Sequence, residues 1–95
     1  MKLVFSKEAV ADIARLRAFL TEKHPDLAQR AVAAIVDRIN SLDVFPARGR
    51  RSGAGRVREL VVPFGRSAYI VRYTHFSAAK EIIILRIWHG RERRE

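Results

Sequence analysis

Arginine side chains recur inside the apolar stretches of the second half of the chain. Arg58, Arg72 and Arg86 each lie where apolar and polar residues alternate, and Arg91 follows the last such stretch. Guanidinium groups bind phosphate and carboxylate through paired N–H donors. A strand with this alternation has one face for a core and another for solvent or a partner. The pattern predicts a basic surface for an anionic target, formed by these four arginines.

The charge of the chain supports the same prediction. The 95 residues carry a formal net charge of +9, of which residues 1–45 contribute +1 and residues 46–95 contribute +8. Such asymmetry is typical of proteins that meet nucleic acid or an acidic protein segment. The alternative is that the charge only keeps a small protein soluble.

One histidine could add acid–base chemistry to the arginines. His89 ends the last apolar stretch, and Tyr69 and Tyr73 lie in the stretch before it. Arginine as a charge clamp with His89 as acid or base would suit a phosphoryl transition state. The alternative is a histidine that is simply packed or hydrogen-bonded at a strand end.

Several familiar sites are excluded. Gly53-Ala54-Gly55 lacks the third glycine of a dinucleotide loop, because Arg58 stands there, and a strand follows instead of a helix. The three histidines lack metal-ligand spacing. The chain has no cysteine, which fits a reducing cytoplasm. We expect no cofactor, no metal, no signal peptide and no membrane span, and a cytoplasmic location.

The elements that would position these residues begin with a short strand at Lys2–Phe5 and two helices. Ser6 is a suitable N-cap, and the first helix should stop at His24-Pro25. Apolar residues at helical spacing are Ala9, Ile13, Leu16 and Leu20 in the first helix, and Ala28, Val32, Ile35, Ile39 and Leu42 in the second. Asp12, Arg15 and Lys23 should lie mostly on the opposite, solvent side of the first helix. The short connection favours an antiparallel hairpin.

Three strands follow, over residues 56–62, 68–74 and 81–89, joined by turns at 64–67 and 77–80. In the last strand, alternation places Ile82, Ile84, Arg86 and Trp88 on one face and Ile83, Leu85 and Ile87 on the other. The segment 47–55 reads as a cationic loop, either a phosphate cradle or a solvated connector. We predict one domain, residues 1–95, of the α+β class: a short strand and a helix hairpin on one face of a small antiparallel sheet.

The ordered set of local sequences resembles the ParE/RelE superfamily of bacterial type II toxins. The similar segments are the helix hairpin with His24-Pro25, Arg58-Glu59-Leu60, the segment 69–73, and the segment 84–91 that closes in His89-Gly90-Arg91. The resemblance spans nearly the whole chain.

The resemblance implies a toxin held inactive by a ParD-like antitoxin with an acidic C-terminal segment. That segment would fold onto the toxin, laying a helix against the helix hairpin and sheet. The residues we assign to antitoxin binding on this basis are Ile13, Leu16, Leu20, Arg50 and Arg51.

The superfamily also implies two alternative activities. RelE-like members cut messenger RNA on the ribosome, whereas ParE-like members block DNA gyrase by binding it. The resemblance favours the ParE-like branch at two positions. Ile70 occupies a position where RelE-like enzymes often carry an arginine, and Leu60 occupies a position where a lysine is common. No tyrosine follows Gly90, although RelE-like members usually have one near the C-terminus.

A nuclease is the alternative. It would use Arg58, His89 and Arg91, with Arg93 near another basic position of the pattern. A third possibility is an inert or degenerate binding module, or one with only nucleic-acid affinity, which would cause no growth arrest.

Overall fold

The computed structural model describes residues 1–53 and 55–92, and in them two helices and five strands follow one another. Their bounds are β1 Lys2–Phe5, α1 Lys7–Lys23, α2 Pro25–Asn40, β2 Arg50–Arg51, β3 Val57–Phe64, β4 Ser67–Phe76 and β5 Glu81–His89, with a 3₁₀ turn at Ser41–Asp43. The predicted fold class, a helix hairpin on one face of a small sheet, is confirmed.

Local signals place both helices. The Ser6 hydroxyl accepts a hydrogen bond from the Ala9 N–H at 3.0 Å and donates one to the Leu85 carbonyl at 2.9 Å. The same cap therefore starts α1 and ties it to β5. His24 ends α1 with an extended backbone, since a proline follows it, and Pro25 occupies the first turn of α2.

The sheet has the strand order β1-β5-β4-β3-β2. β3, β4 and β5 form the predicted antiparallel meander. Two details differ from the sequence-based expectation. β1 pairs with β5 in parallel, which makes the sheet mixed. The segment predicted as a loop also contains the two-residue strand β2, which pairs with β3.

A β-bulge changes which side chains of β5 face the core. Arg72 pairs with Arg86 but Tyr73 pairs with Ile84, so Leu85 is an extra residue in β5. The alternation is therefore displaced by one residue after Leu85. Ile87 therefore lies in the core with Ile82 and Ile84, and all three are 0% exposed. The prediction that Ile82 and Ile84 share a face with Arg86 and Trp88 is wrong.

The core fills the space between the helix hairpin and one face of the sheet. Its largest fully buried side chains are Tyr73, Ile35, Ile39, Leu42, Ile82, Ile84, Ile87, Val62 and Val71. Each such aliphatic or aromatic side chain contributes about 1.5–3 kcal/mol by leaving water. In the described parts of the chain, no helix is long and apolar enough to cross a membrane.

Candidate functional site

Arg72 lies at the middle of the sheet face that points away from the core. Its Nη2 and Nε donate to Oε2 of Glu59, across the β3–β4 pair, at 2.8 and 3.2 Å. Its guanidinium carbon lies 4.8 Å from the centre of the Trp88 ring on β5. Trp88 is only 6% exposed although it lies on this open face. Arg72 thus joins three strands and covers an aromatic ring.

Arg86 is held by a buried carboxylate of α1. Its Nε donates to Oδ2 of Asp12 at 2.8 Å and its Nη2 donates to Oδ1 at 3.1 Å. Asp12 also accepts the backbone N–H of Ile87 at 2.8 Å. The prediction that Asp12 faces solvent is wrong, since it is 4% exposed. The reason is that β1 pairs with β5 only as far as Ile84, so the next N–H groups on that edge require an acceptor from α1.

The pKa of Asp12 reflects these contacts. Burial alone would raise it, but the hydrogen bonds from Arg86, the Ile87 N–H and Arg15 outweigh burial, so the pKa of Asp12 lies below its ordinary value. The same ion pair raises the pKa of Arg86. Asp12 is therefore ionised at neutral pH and links α1 to β5.

Arg58 lies on the other side of the sheet from Arg72. It pairs with Tyr73, which is in the core. Its Nη1 donates to the carbonyl of Gly49 at 2.8 Å and to that of Ala47 at 3.4 Å. Arg58 thus fixes the segment that precedes β3.

The four arginines predicted to form one basic surface are not brought together. Arg72 lies on the open face, Arg86 binds Asp12 of α1, and Arg58 lies on the core side. Arg91 is exposed just beyond β5, where its backbone N–H donates to Nδ1 of His89 at 3.1 Å. Among the residues described, 1–53 and 55–92, no ion pair includes Arg58 or Arg91.

The alternative nuclease trio is divided in the same way. His89 and Arg91 are adjacent, but His89 pairs with Tyr69 and Arg58 pairs with Tyr73. Four residues along a strand span about 13 Å, so Arg58 lies at a different place in the sheet. Arg93 lies outside the described residues.

His89 is packed against aromatic and charged groups. Its ring meets the Tyr69 ring edge-on at 5.3 Å, and its backbone N–H donates to Oε1 of Glu92 at 2.7 Å. Burial, assisted by the Glu92 charge, raises the pKa of Tyr69. The Tyr69 phenol is therefore protonated at neutral pH and cannot act there as a base.

Glu92 extends the network back to α1. Its Oε2 accepts from Nη1 of Arg15 at 2.6 Å, and Nη2 of Arg15 donates to Asp12 at 3.3 Å. Burial alone would lower the pKa of Arg15, but the bonds to Glu92 and Asp12 raise it. A chain of ion pairs thus runs from Glu92 through Arg15 and Asp12 to Arg86.

An apolar groove lies beside this network, between α1 and the ends of β3, β4 and β5. It has a volume of about 680 Å³. Its apolar lining comprises Leu16, Phe19, Leu20, Leu27, Phe64 and Tyr69, and its charged lining comprises Arg15, Arg66, Arg91 and Glu92; Gly65, Ser67 and His89 complete it. Phe19 is 56% exposed and extends the apolar surface of the groove, and contiguous exposed apolar surface often marks an interaction site.

The residues assigned to antitoxin binding are spread over the molecule. Leu16 and Leu20 line the apolar groove. Ile13 is half-buried against the core and does not line the groove. Arg50 and Arg51 are exposed in β2, at the opposite edge of the sheet from β1.

Two residues of the groove region, Phe19 and Glu92, were not among the functional residues predicted from the sequence. Phe19 flanks the apolar stripe of α1, and its size at that position was the available signal. Glu92 carried no such signal, because its ion-pair partner Arg15 is 77 positions away in sequence. Within the described residues, no group of three or more His, Asp or Glu side chains could hold a metal ion.

Comparison with known proteins agrees with this fold. The family described as the ParE toxin of the type II toxin–antitoxin system parDE matches residues 3–94. Toxin RelE1 of Caulobacter vibrioides is 37% identical over 92 residues, covering 97% of this chain and 96% of the relative. Toxin RelE3 of the same organism is 36% identical and covers 87% of each chain.

A solved structure is similar as well. The structure described as the chromosomal ParDE TA system from P. aeruginosa superimposes with a TM-score of 0.76 at 28% identity, covering 94% of this chain and 95% of that one. The match of the family over nearly the whole chain confirms the resemblance seen in the sequence. This chain therefore belongs to the family of ParE toxins of type II toxin–antitoxin systems.

Proposed function

We propose that this toxin acts by binding DNA gyrase, alone or in complex with DNA, and not by cutting RNA. The observation that supports binding is the engagement of the strand arginines in structural contacts. Arg72 is held by Glu59 and Trp88, and Arg86 by Asp12. Catalysis of phosphoryl transfer needs cations aimed at the developing charge of a substrate. Guanidinium groups committed to internal carboxylates are poorly placed for that task.

Two further positions favour the same proposal. Leu60 is 3% exposed in the core, where the resemblance puts a lysine in RelE-like nucleases. Ile70 pairs with Trp88 on the open face, where such nucleases often have an arginine. Both side chains are apolar and give no charge to a substrate phosphate.

Arg91 is the arginine of the predicted basic surface that we assign to gyrase contact. It is exposed at the end of β5 and lines the apolar groove. A cation at the rim of an apolar patch is a common arrangement at protein interfaces.

A supercoiling and DNA cleavage assay with purified gyrase tests the proposal. We expect the wild-type protein to inhibit supercoiling and to cause DNA breaks to accumulate. Arg91→Gln should weaken the effect, while Arg30→Gln, which removes an exposed charge on α2, should not. Normal supercoiling without breaks at high toxin concentration would refute gyrase as the target.

The relatives named RelE toxins favour a second candidate, a ribosome-dependent mRNA endonuclease. In that case His89 would move a proton beside Arg91. Primer extension on messages from cells that express the protein should then reveal new 5′ ends within reading frames. If the protein is a nuclease, His89→Gln should abolish those ends. If it is a gyrase inhibitor, the same variant should still arrest growth.

We also propose that the acidic C-terminal segment of a ParD-like antitoxin lies in the apolar groove as an amphipathic helix. The groove offers an apolar floor of Leu16, Leu20 and Phe64. Arg66 and Arg91 line it as well, and these cations suit acidic residues flanking the apolar face of a helix. The net charge of +9 would speed the encounter.

Phe19→Ser tests this placement with little risk to the fold, because the ring is 56% exposed. Calorimetry with the cognate antitoxin should give markedly weaker binding for Phe19→Ser. Val44→Ser is the matched control, since Val44 is 70% exposed and lies outside the groove. Equal affinities for the two variants would place the antitoxin elsewhere.

A further inference from the structure

A second cavity, here called the cationic pocket, lies at the other end of the sheet from the apolar groove. Its volume is about 240 Å³. It is lined by Arg51, Gly55, Arg56, Arg58, His75 and Ser77. Three of these six residues are arginines and none is acidic.

No carboxylate among residues 1–53 and 55–92 forms an ion pair with the three guanidinium groups of the pocket, those of Arg51, Arg56 and Arg58. Arg58 gives only its Nη1 to backbone carbonyls, and Arg56 lies 5.9 Å from the Phe76 ring. Like charges that line one small cavity repel one another. An anion bound within the cavity would be attracted to all three guanidinium groups and would offset their mutual repulsion.

Two further polar side chains of the pocket, His75 and Ser77, also favour an anionic ligand. The Nε2 atom of His75 is buried and has no hydrogen-bond partner among the described residues. A buried polar atom without a partner is rare in native proteins and requires an explanation. The Ser77 hydroxyl is a further donor on the lining. An oxyanion accepts hydrogen bonds from all of these residue types.

The nearest carboxylate along the chain does not fill this role. Glu59 follows Arg58 directly, but its side chain lies on the opposite face of the sheet. There it accepts from Arg72 and from the Ser52 hydroxyl. The pocket therefore keeps its excess positive charge while the adjacent carboxylate is used elsewhere.

We propose that the cationic pocket binds a backbone phosphate of a single nucleic-acid strand. Protein segments usually bind where apolar or aromatic anchors enter a pocket, and among the described residues no apolar side chain lines this one. Contacts to nucleic-acid phosphates come from arginine, serine and backbone groups such as those present here. Residues 46–95 carry a net charge of +8, which extends the positive field beyond one phosphate and suits a strand better than a free ion.

This proposal goes beyond gyrase binding and does not depend on it. It reassigns Arg51 from antitoxin contact to phosphate contact. It also gives Arg58 a ligand-binding role with its remaining N–H groups, in addition to its bonds to Gly49 and Ala47.

Fluorescence anisotropy with a short fluorescein-labelled oligothymidine strand, titrated at several NaCl concentrations, tests the proposal. The variant is Arg51→Gln with Arg56→Gln, since both side chains are exposed and neither supports the core. The control is Arg17→Gln with Arg30→Gln, which removes the same charge from the exposed surface of the helices. Unchanged circular dichroism spectra establish that both variants fold.

We expect the pocket variant to bind more weakly and to lower the slope of log K against log salt by about 0.7, the value for one lost phosphate contact on a single strand. The control should retain the wild-type slope. Amide NMR shifts on adding the strand should cluster at residues 51, 55–58 and 75–77. Equal weakening of both variants would overturn the proposal, as would shifts confined to the apolar groove. Displacement of the strand by a glutamate peptide of equal charge, at equal concentration, would overturn the preference for phosphate.

Discussion

Replacing Asp12 with asparagine removes the charge that joins α1 to β5 but retains an amide oxygen near the Ile87 N–H. Asp12 accepts four hydrogen bonds, two from Arg86 and one each from Arg15 and Ile87. Asparagine can keep the bond to Ile87, whereas alanine can keep none. The two substitutions therefore separate the contribution of the charge from that of the backbone cap.

The structure sets the size of each effect. A hydrogen bond to a charged group contributes about 1.5–3 kcal/mol when buried. The Arg86 side chain is 36% exposed, which reduces the contribution of its ion pair. We expect Asp12→Asn to lower the free energy of unfolding by about 1–2 kcal/mol. Asp12→Ala also leaves the Ile87 N–H without an acceptor and should lower it by about 3 kcal/mol.

Urea unfolding at pH 7, followed by circular dichroism, measures both changes. A loss of 1–2 kcal/mol corresponds to a fall in Tm of roughly 4–16 °C in a domain of this size. A third variant, Arg86→Gln, completes a double-mutant cycle with Asp12→Asn. The cycle should return a coupling energy of about 1 kcal/mol, since each single substitution already breaks the pair.

The pH dependence follows from the lowered pKa of Asp12. A carboxyl with a lowered pKa in the folded state stabilises the protein fully above its unfolded pKa, which is about 3.9. This contribution is lost as the pH falls through the folded pKa. The difference between wild type and Asp12→Asn should thus be constant from pH 7 to pH 5 and shrink below about pH 4. A difference that persists unchanged into strong acid, or equal losses in Asp12→Asn and Asp12→Ala, would refute the assigned role.

Two further substitutions test the supports of the sheet. Gly49→Ala should lower the free energy of unfolding by about 1–3 kcal/mol, because its new Cβ would lie 2.7 Å from Cε1 of Tyr73; an unchanged urea midpoint would contradict this. Arg72→Gln should shift the emission of Trp88, the only tryptophan, to longer wavelength, because the guanidinium that covers the ring is lost. Arg66→Gln, in the turn after β3, should leave the emission unchanged.

The parts of the fold that local chemistry determines could be predicted from the sequence. The Ser6 cap, the His24-Pro25 break and the turns between the long strands depend on neighbours in the chain. Each was placed to within a few residues. Apolar spacing also identified the core faces of both helices and of β4.

The bulge at Leu85 could not be predicted in this way. It depends on how β5 meets β4 and α1, and a single extra residue reverses the faces that follow. The four arginines of the predicted basic surface are separated partly for this reason. The prediction of one surface assumed unbroken alternation in β5. It also treated Arg58 and Arg72 alike because they are an even number of residues apart. These two residues lie on different strands, and the register of each strand sets its faces independently.

Asp12 presents the same difficulty in a helix. Helical periodicity placed it on the side opposite the apolar stripe, yet Asp12 is 4% exposed. Only the short pairing of β1 with β5 reveals that an open strand edge lies next to that position. A buried carboxylate that satisfies a distant N–H carries no local sequence signal.

The apolar groove and the cationic pocket lie at the two ends of the same strands, which bears on whether their ligands compete. Tyr69 lines the groove and His75 lines the pocket, and six residues of β4 span about 20 Å. A helix confined to the groove therefore leaves the pocket open. If both proposals hold, the salt-dependent affinity for oligothymidine should be the same with and without an antitoxin peptide that ends at the groove. Competition between the two would require the antitoxin to continue along β2 and place its own carboxylates among Arg51, Arg56 and Arg58. That outcome would return Arg51 to the antitoxin interface.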